Sequence, residues 1–254
     1  MKSINLHIIA DKTKKANKVK QTLIKSYSNY SPAVCNYIIV IGGDGFMLQS
    51  LKKYQKFNKP FYGINTGNRG FLLNKHSNRD IIYKIKKSSP ISLFPLEAKI
   101  KTKNSIKKIL AINEVSVFRH SRQTTKLQIN LDKKKRIKEL VGDGILVATP
   151  AGSTAYNLSA KGPILNLDSQ YLAVTPISPF KPRGWRGAII SNQSKVIIKN
   201  LDSKKRPVNA VADNIEVKNI KTVEIKLNKK KRFVVLYNKK FGLKERNLAE
   251  QFKF

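Results

Sequence analysis

The first ninety residues alternate between short apolar runs and longer stretches whose apolar positions have helical spacing. The predicted strands are residues 4–10, 37–41 and 60–64, and the predicted helices are residues 13–26, 45–54 and 78–87. Such alternation favours a parallel sheet with helices on its faces. Residues 1–89 are therefore expected to form an α/β domain of the Rossmann-like, three-layer kind.

After the sequence Ser-Ser-Pro at residues 88–90 the pattern changes to short alternating runs separated by turn-forming residues. The runs are residues 93–100, 107–112, 114–119, 126–131, 145–149, 171–175, 195–199, 208–212, 223–227 and 233–237. Their spacing predicts an all-β sandwich domain over residues 90–237. The amphipathic end, residues 243–254, predicts a helix, and residues 238–254 are expected to pack back on the first domain.

One glycine-rich segment stands where a strand gives way to a helix. Gly42, Gly43, Asp44 and Gly45 follow the predicted strand 37–41, at the sheet edge where α/β proteins bind ligands. Glycines let the backbone approach a phosphate, and a helix N-terminus presents unpaired N–H groups. Asp44 would repel that anion, so it needs a role such as taking a proton or holding a cation. The alternative interpretation is a tight turn with Asp44 as the helix N-cap.

Asn113 and Glu114 place an amide and a carboxylate side by side between apolar residues. On a strand the two side chains would face opposite ways, whereas at a bulge or a strand start both could reach a ligand. Asn can bind an adenine edge and Glu can accept from ribose hydroxyls or amides. The alternative is an ordinary strand end.

A second Gly-Asp-Gly, centred on Asp143, precedes another apolar run, and the sequence Thr-Pro-Ala-Gly-Ser-Thr-Ala-Tyr-Asn-Leu-Ser follows at residues 149–159. Small side chains expose backbone N–H groups, hydroxyls donate to phosphate or sugar, and a Tyr can stack on a ring. A structural loop rarely needs all of these together, so we favour a binding role.

The formal net charge of +36 first suggests a nucleic-acid partner. Of the 51 basic residues 10 are arginines, so 51 − 10 leaves 41 lysines, spread through every segment. A nucleic-acid binder more often concentrates its charge and uses arginine. The basic clusters at residues 133–136 and 229–232 lie between apolar alternating runs, which is typical of hairpin turns, so no specific nucleic-acid partner is expected.

Several classes of protein are disfavoured. The sequence has no apolar run near 18 residues, so no membrane association is expected, and its first residues predict a strand rather than a secretory segment. The single cysteine, Cys35, permits no internal disulfide, which favours a cytoplasmic location, and no metal-ligating cluster is expected. Neither a P-loop nor the usual dinucleotide fingerprint nor a Gly-x-Ser-x-Gly elbow occurs.

These segments together resemble bacterial NAD kinases, in order and in approximate spacing. The resemblance rests on Gly-Gly-Asp-Gly at 42–45, Asn-Glu at 113–114 and Gly-Ser-Thr-Ala-Tyr at 152–156, and it extends to residues 65–72 and 163–164. Gly-Gly-Asp-Gly alone is shared with diacylglycerol, sphingosine and phosphofructo-kinases, whereas the other two motifs are far more specific. The family's fold, an α/β domain joined to a β-rich domain with the active site between them, agrees with the two halves.

The resemblance implies transfer of the ATP γ-phosphoryl group to the 2′-hydroxyl of the adenosine ribose of NAD, giving NADP. It implies Asp44 as the catalytic base, with Mg²⁺ carried mainly by ATP oxygens and a homodimer or homotetramer as the assembly. The nucleotide-binding residues that it implies are Gly42, Gly43, Asp44, Gly45, Asn113, Glu114, Asp143, Ala151, Thr154, Ala155, Tyr156, Asn157, Leu158, Ser159 and Asn214. At two points the chain departs from the family, since Asn214 stands where Gln or His is frequent, and Val141 where a basic residue is frequent.

Two alternatives remain open at this point. One is another Gly-Gly-Asp-Gly kinase, acting on a lipid or a sugar, which would leave Asn113, Glu114 and residues 154–156 without a purpose. The other is a non-catalytic protein that binds a dinucleotide or nucleic acid. Replacement of Asp44 by Asn separates these classes, because only an enzyme loses activity.

Overall fold

Strands and helices alternate in the first part of the computed structural model, which describes residues 4–67, 70–77, 80–238 and 243–252. The chain divides into two compact units, residues 1–93 with 232–246 and residues 94–231 with 247–254. The first unit contains strands β1 (Leu6–Ala10), β2 (Tyr37–Gly42), β3 (Phe61–Asn65), β4 (Asn74–Lys75), β5 (Ser88–Leu93) and β18 (Phe233–Asn238). Its helices are α1 (Lys14–Ser26), α2 (Asp44–Tyr54), a 3-10 turn (Gln55–Phe57) and α3 (Ile81–Lys86).

The sheet of the first unit has the strand order β1-β2-β3-β18-β5, with β4 paired to β3. All pairs are parallel except β18 with β5, which are antiparallel. The predicted α/β class is confirmed. Helix α3 is shorter than predicted, beginning after Asp80, whose carboxylate caps it by accepting from the N–H of Tyr83, and residues 78 and 79 lie outside the described residues.

Both faces of this sheet are buried, which explains why its strands are apolar at successive positions. Ile39 and Ile41 belong to a cluster that α1 and α3 cover, whereas Ile38 and Val40, which point the opposite way, are also fully buried. Helix α2 contacts β2 and buries Met47, Leu48 and Leu51, none of which belongs to that cluster, so α2 covers the opposite face.

Two strands of this sheet differ from the prediction. The predicted boundary fell between residues 89 and 90, yet residues 88–93 form one strand, β5, at the edge of this sheet. Pro90 is tolerated there because an edge strand leaves one row of N–H groups unpaired. Residues 233–237 were assigned to the β-rich half, yet β18 lies between β3 and β5. Its alternation is the same in either sheet, so only the pairing shows where it belongs.

A buried asparagine joins three strands near the carboxyl ends of the parallel sheet. The amide nitrogen of Asn74 donates to the carbonyls of Gly63 and Leu236 at 3.2 and 2.9 Å, and its oxygen accepts from the N–H of Asn238 at 3.0 Å. The phenol of Tyr62 donates to the side chain of Asn238, and burial raises the pKa of Tyr62 to about 12. Asn74 thereby fixes β4 against β3 and β18.

The second unit is a sandwich of two antiparallel sheets, as the alternating runs predicted. One sheet has the order β10-β9-β14-β17-β6-β7 and the other β13-β12-β11-β8-β15-β16. Their strands are β6 (Leu96–Lys101), β7 (Ile106–Ala111), β8 (Glu114–Arg119), β9 (Thr125–Leu131), β10 (Lys134–Gly142), β11 (Gly144–Ala148), β12 (Tyr171–Ile177), β13 (Ala188–Ser191), β14 (Val196–Asn200), β15 (Val208–Ala212), β16 (Ile215–Val217) and β17 (Thr222–Leu227). A 3-10 turn (Gly152–Thr154) and the short helix α4 (Tyr156–Ser159) interrupt them. Inward-facing residues of both sheets, among them Leu127 and Val147, form one core.

Lysine-rich strands form both edges of the first of these sheets. The exposed residues 134–136, which the pattern assigned to a turn, begin edge strand β10, and only Lys133 lies in the turn itself. At the other edge, Lys107 and Lys108 of β7 are exposed. Residues 229–232 are exposed and link β17 to β18 without helix or strand.

Helix α5 (Leu243–Glu250) agrees with the predicted C-terminal helix, although its end comes earlier than predicted. The boundary between the two units falls inside it, after Arg246, so the packing of residues 238–254 on the first domain stays a prediction. Residues 239–242 and 253–254 lie outside the described residues. None of the helices within the described ranges is long and apolar enough to cross a membrane.

Asn74→Ala is expected to lower the free energy of unfolding by about 2 kcal/mol, because three backbone groups of β3 and β18 lose their hydrogen-bond partner. Urea unfolding followed by circular dichroism measures the loss. Asn17→Ala is the matched control: the Asn17 amide also donates to two carbonyls, those of Asp11 and Thr13, but it is exposed. Equal losses in the two variants would contradict the role given to Asn74.

Candidate functional site

The glycine-rich segment 42–45 forms the junction between β2 and α2. Gly42 ends the strand, Gly43 is the helix N-cap in an extended conformation, and Asp44 is the first residue of the helix. The alternative in which the Asp44 side chain caps its own helix is therefore wrong, since α2 has no side-chain cap. The N-terminus of α2 and the carboxyl end of β2 meet at this junction.

The Asp44 carboxylate instead binds the backbone of a distant loop. One oxygen accepts from the N–H of Phe71 at 2.7 Å and the other from the N–H of Leu72 at 2.8 Å. Bonds from two successive N–H groups to the two oxygens fix the plane of the carboxylate as well as its position. The half-buried acid is thus held in one orientation at the end of the sheet.

The second glycine-rich segment, after β3, lies directly beside the first. Gly42 pairs with Asn65, and the N–H of Thr66 donates to the Gly42 carbonyl at 3.0 Å. The Asn65 side chain accepts from the N–H of Gly67 at 2.9 Å, and a side chain on Gly70 would collide with it at 2.8 Å. Residues 68 and 69 lie outside the described residues. Beyond them, the N–H groups of Phe71 and Leu72 reach the Asp44 carboxylate.

Two glycines of the segment face open space. A Cβ added to Gly43 or Gly45 would meet nothing within 4 Å, whereas one on Gly42 would come within 3.2 Å of Phe46 and Asp11. Neither Gly43 nor Gly45 has a positive φ. The protein's own packing does not require glycine at either position, so the absence of side chains leaves room for another molecule.

In the second unit, Asn113 and Glu114 lie at a strand start, the arrangement in which both side chains can reach a ligand. Asn113 is in the link between β7 and β8, and Glu114 begins β8. Asp213, in the turn between β15 and β16 with φ of 52°, accepts from the N–H groups of Ile112, Asn113 and Glu114 at 2.8, 2.9 and 3.3 Å. One carboxylate therefore holds the backbone of residues 112–114.

The side chains of Asn113 and Glu114 each carry a buried polar atom that no described residue bonds. The Asn113 Oδ1 and the Glu114 Oε2 have no hydrogen bond within the part of the chain that the structure describes. Burial raises the pKa of Glu114 to about 8, and the negative charge of Asp213 adds to this effect. Since buried polar groups are normally satisfied, these two atoms indicate a ligand-binding surface.

The loop after β11 is hydrogen-bonded to the link between β7 and β8. The hydroxyl of Thr149 donates to the Ile112 carbonyl at 2.7 Å and accepts from the N–H of Gly152 at 3.0 Å. A Cβ on Gly152 would lie 2.1 Å from the Asn113 carbonyl oxygen. Gly152 is thus required by close backbone approach, and Ala151 beside it is buried.

Two buried side chains hold the following turn in shape. The Ser153 hydroxyl donates to the Pro150 carbonyl and accepts from the N–H of Leu165, while the Asn157 amide donates to the carbonyls of Ser153 and Pro163. The Asn157 oxygen accepts from Thr175 at 2.7 Å, and the residue is fully buried. Asn157, predicted to bind the dinucleotide, therefore uses its side chain inside the protein.

The remaining predicted residues of this turn stand on its accessible side. Thr154 and Ala155 are half-buried, whereas Tyr156, Leu158 and Ser159 are exposed. The turn therefore has two sides: Ser153 and Asn157 are buried and hydrogen-bonded inside the protein, whereas the residues named above are accessible. The turn presents a hydroxyl and an aromatic ring to solvent.

Asp143, between β10 and β11, forms an ion pair with an arginine that is distant in sequence. The Nε of Arg119, on the neighbouring strand β8, lies 2.7 Å from the Asp143 carboxylate, and both side chains are more than one third exposed. An arginine from the adjacent strand thus supplies a positive charge next to Asp143, where Val141 supplies none. Asn214, the other departure from the family pattern, is exposed on the β15–β16 turn.

Sequence reasoning missed the residues that organise these surfaces. The N–H groups of residues 71 and 72 carry no side-chain signal, and Arg119 is distant in sequence from Asp143. Asp213 adjoins Asn214, and its position in a short turn between apolar residues is typical of a backbone-binding carboxylate. That signal was available and not used.

An open glycine loop with an oriented carboxylate, in an α/β unit accompanied by a β-sandwich, defines the class of kinases that carry Gly-Gly-Asp-Gly. The model of the ATP-NAD kinase N-terminal domain matches residues 3–86, and that of the ATP-NAD kinase C-terminal domain matches residues 112–238. The chain therefore belongs to the ATP-NAD kinase family, which confirms the resemblance seen in the sequence.

Full-length relatives support this assignment. The chain is 42% identical to the NAD kinase of Brucella suis, with 99% of this chain and 98% of the relative covered. It is 44% identical to the NAD kinase of Rhizobium meliloti, covering 98% and 97%, and 44% identical to that of Zymomonas mobilis, covering 100% and 99%.

Solved structures share the fold. An NAD kinase from Archaeoglobus fulgidus in complex with ATP superposes with a TM-score of 0.73 at 22% identity, covering 98% of this chain and 97% of that one. Yeast NADH kinase complexed with NADH gives a TM-score of 0.78 at 19% identity, covering 99% and 88%.

Gly152→Ala is expected to lower the free energy of unfolding by about 1–3 kcal/mol, because the new methyl group would overlap the Asn113 carbonyl. Gly43→Ala is the control, with a change within about 0.5 kcal/mol, since its methyl group meets open space. Chemical denaturation of both variants measures the difference. A Gly152→Ala protein as stable as Gly43→Ala would show that the loop is not held as described.

Ionisation of Glu114 is expected to destabilise the folded protein as pH rises. Its pKa is raised to about 8 on folding, so its stabilising effect is complete below the ordinary value near 4.5 and is lost between there and 8. Glu114→Gln carries no ionisable group. Between pH 5 and pH 9, the free energy of unfolding of this variant should rise by roughly 2–4 kcal/mol relative to that of the wild type. Urea unfolding at each pH measures the difference. A constant difference would contradict the raised pKa.

Proposed function

We propose that this chain transfers the γ-phosphoryl group of ATP to the 2′-hydroxyl of the adenosine ribose of NAD, giving NADP. The observation that carries the proposal is the oriented Asp44 carboxylate at the N-terminus of α2, beside open glycines, in a member of the ATP-NAD kinase family. The names of the full-length relatives support NAD as the acceptor.

Asp44 acts as the general base. A sugar hydroxyl is a poor nucleophile, and a carboxylate within about 3 Å accepts its proton as the bond to phosphorus forms. Such assistance contributes roughly 10²–10⁴-fold, or about 3–5 kcal/mol. The N–H groups of Phe71 and Leu72 hold the carboxylate in one orientation, so no rotation has to be frozen during the reaction.

The segment Gly42, Gly43 and Gly45 receives the phosphates. The open space around Gly43 and Gly45 lets phosphate oxygens approach the backbone, and the eleven-residue helix α2 directs its N-terminal N–H groups there. The described residues contain no group of three or more His, Cys, Asp or Glu arranged as metal ligands. Mg²⁺ is accordingly proposed to be held mainly through ATP oxygens, where it would neutralise phosphate charge.

The second unit holds the dinucleotide. Asn113 and Glu114, whose buried oxygens have no partner among the described residues, bind the adenosine part. The further contacts that we propose come from Asp143, Ala151, Thr154, Ala155, Tyr156, Leu158, Ser159 and Asn214, with Asn157 contributing by anchoring the turn. Exposure of Tyr156 supports stacking on a ring of the ligand.

The assembly and location are proposed from the family resemblance and the sequence. We propose a homodimer or homotetramer, as is usual in the family, and a cytoplasmic location, which suits a chain with one buried, unpaired cysteine.

Asp44→Asn is expected to lower kcat by about 10²–10⁴-fold, because the amide cannot accept the hydroxyl proton, while the Kd for NAD changes by less than about threefold. NADP formed from ATP, Mg²⁺ and NAD is read with an NADP-specific dehydrogenase, and NAD binding is measured by calorimetry.

Asp80→Asn is the matched control for this variant. The Asp80 carboxylate lies in the same unit and also accepts two hydrogen bonds, from the N–H of Tyr83 and the hydroxyl of Tyr27, but it caps α3. Its activity should remain near that of the wild type. An Asp44→Asn protein that keeps full kcat, or a wild type that forms no NADP above a boiled control, would refute the proposed function.

A further inference from the structure

Asp213 stands at the centre of the hydrogen bonds that shape the surface around Asn113 and Glu114. Its two oxygens accept from three successive N–H groups, those of Ile112, Asn113 and Glu114, and its own N–H donates to the Glu114 carbonyl at 3.1 Å. The β15–β16 turn and the β7–β8 link are therefore joined in both directions. The backbone of Asn113 and Glu114 cannot shift without breaking these bonds.

The Asp213 carboxylate also acts on the side chain of Glu114. Glu114 lies beside it, half-buried, and its Oε2 has no hydrogen-bond partner in the described part of the chain. Asp213 is the charged group that acts on Glu114, so the carboxyl group of Glu114 faces a fixed negative charge and little water.

We propose that Asp213 is a positioning residue of the dinucleotide site, which holds residues 112–114 in place and keeps the Glu114 carboxyl group protonated, so that Glu114 donates a hydrogen bond to an acceptor atom of the bound nucleoside. This inference rests on the proposed binding of NAD. It assigns to Glu114 the opposite role from an ionised carboxylate, which can only accept. A purine ring nitrogen or a ribose oxygen supplies the acceptor that such a donor requires.

The backbone part of the role has a clear geometric basis. Asp213 has a positive φ in the turn that joins β15 and β16. Asp132 also has a positive φ, and its carboxylate accepts from the N–H of Lys195 at 2.9 Å. Asp132 lies on the β9–β10 turn and is exposed. The charge that raises the pKa of Glu114 is that of Asp213 and not that of Asp132. Both residues are aspartates with a positive φ whose carboxylates accept from backbone N–H groups, three for Asp213 and one for Asp132. Only Asp213 acts on Glu114, so Asp132→Asn is a matched control.

The protonation part is tested without any ligand. The chain has seven glutamates, so ¹³C-labelled Glu gives few side-chain carboxyl signals, and Glu114→Gln identifies that of Glu114. In the wild type this signal should titrate near pH 8, and in Asp213→Asn its midpoint should fall by on the order of one pH unit because the neighbouring charge is gone. In Asp132→Asn it should not move.

The binding part is tested by calorimetric titration with NAD from pH 6 to pH 9.5, a range in which the adenine and the diester phosphates of NAD do not titrate. The wild-type Kd should rise about tenfold between pH 7 and pH 9, because the deprotonated Glu114 cannot donate. Glu114→Gln, whose amide donates at every pH, should bind with a Kd close to that of the wild type at pH 7 and show no such rise. In Asp213→Asn the rise should begin at lower pH.

Each outcome decides between the alternatives. A wild-type Glu114 signal that titrates near its ordinary value, or one that is unmoved in Asp213→Asn, overturns the inference, and the wild-type measurement stands even if the variant does not fold. Loss of NAD binding in Glu114→Gln at pH 7 also overturns it, since an ionised acceptor would then be needed. Absence of NAD binding in the wild type refutes the proposed function instead, and leaves the titration of Glu114 as the separate test of Asp213.

Discussion

Carboxylates that accept backbone N–H groups from distant loops hold both candidate surfaces in place. Asp44 binds residues 71 and 72, which lie beyond the next strand, and Asp213 binds residues 112–114, about a hundred positions earlier in the chain. In each case a carboxylate accepts from successive backbone N–H groups, and such charge-assisted hydrogen bonds are stronger than neutral ones. The positions of the glycines and of Asn113 and Glu114 depend on these bonds.

Both surfaces also have features that the packing of the protein itself does not explain. Gly43 and Gly45 have room for side chains that the sequence does not provide, and the buried oxygens of Asn113 and Glu114 lack partners among the described residues. A buried unsatisfied polar group costs roughly 1–3 kcal/mol. Such a cost is understandable where a nucleotide supplies the missing contact. By contrast Gly152 packs against the Asn113 backbone, and the side chains of Ser153 and Asn157 bond other parts of the protein, which identifies these residues as the support of the site.

Much of the fold and part of the site could be predicted from the sequence. Periodicity located most strands of both units, and the strand–glycine–helix order placed Asp44 at the edge of the sheet. Periodicity could not show that β18 pairs with β3 and β5, because alternation is the same whichever sheet a strand joins. It also missed β10, where lysines hide the alternation, and it could not separate the buried Asn157 from the exposed Tyr156 within one motif.

Part of the high positive charge of the chain comes from lysines on β10 and β7, the two edge strands of one sheet of the second unit. Strands β7 and β10 are the two edges of this sheet, and the pairing of β10 with β9 is shifted at two places along the strand. The positively charged lysines of one edge strand repel those of a second copy. The irregular pairing of β10 also makes its edge less regular, which disfavours the addition of another strand. Chemical acetylation of these lysines would therefore remove the repulsion that disfavours pairing between the edges of two copies.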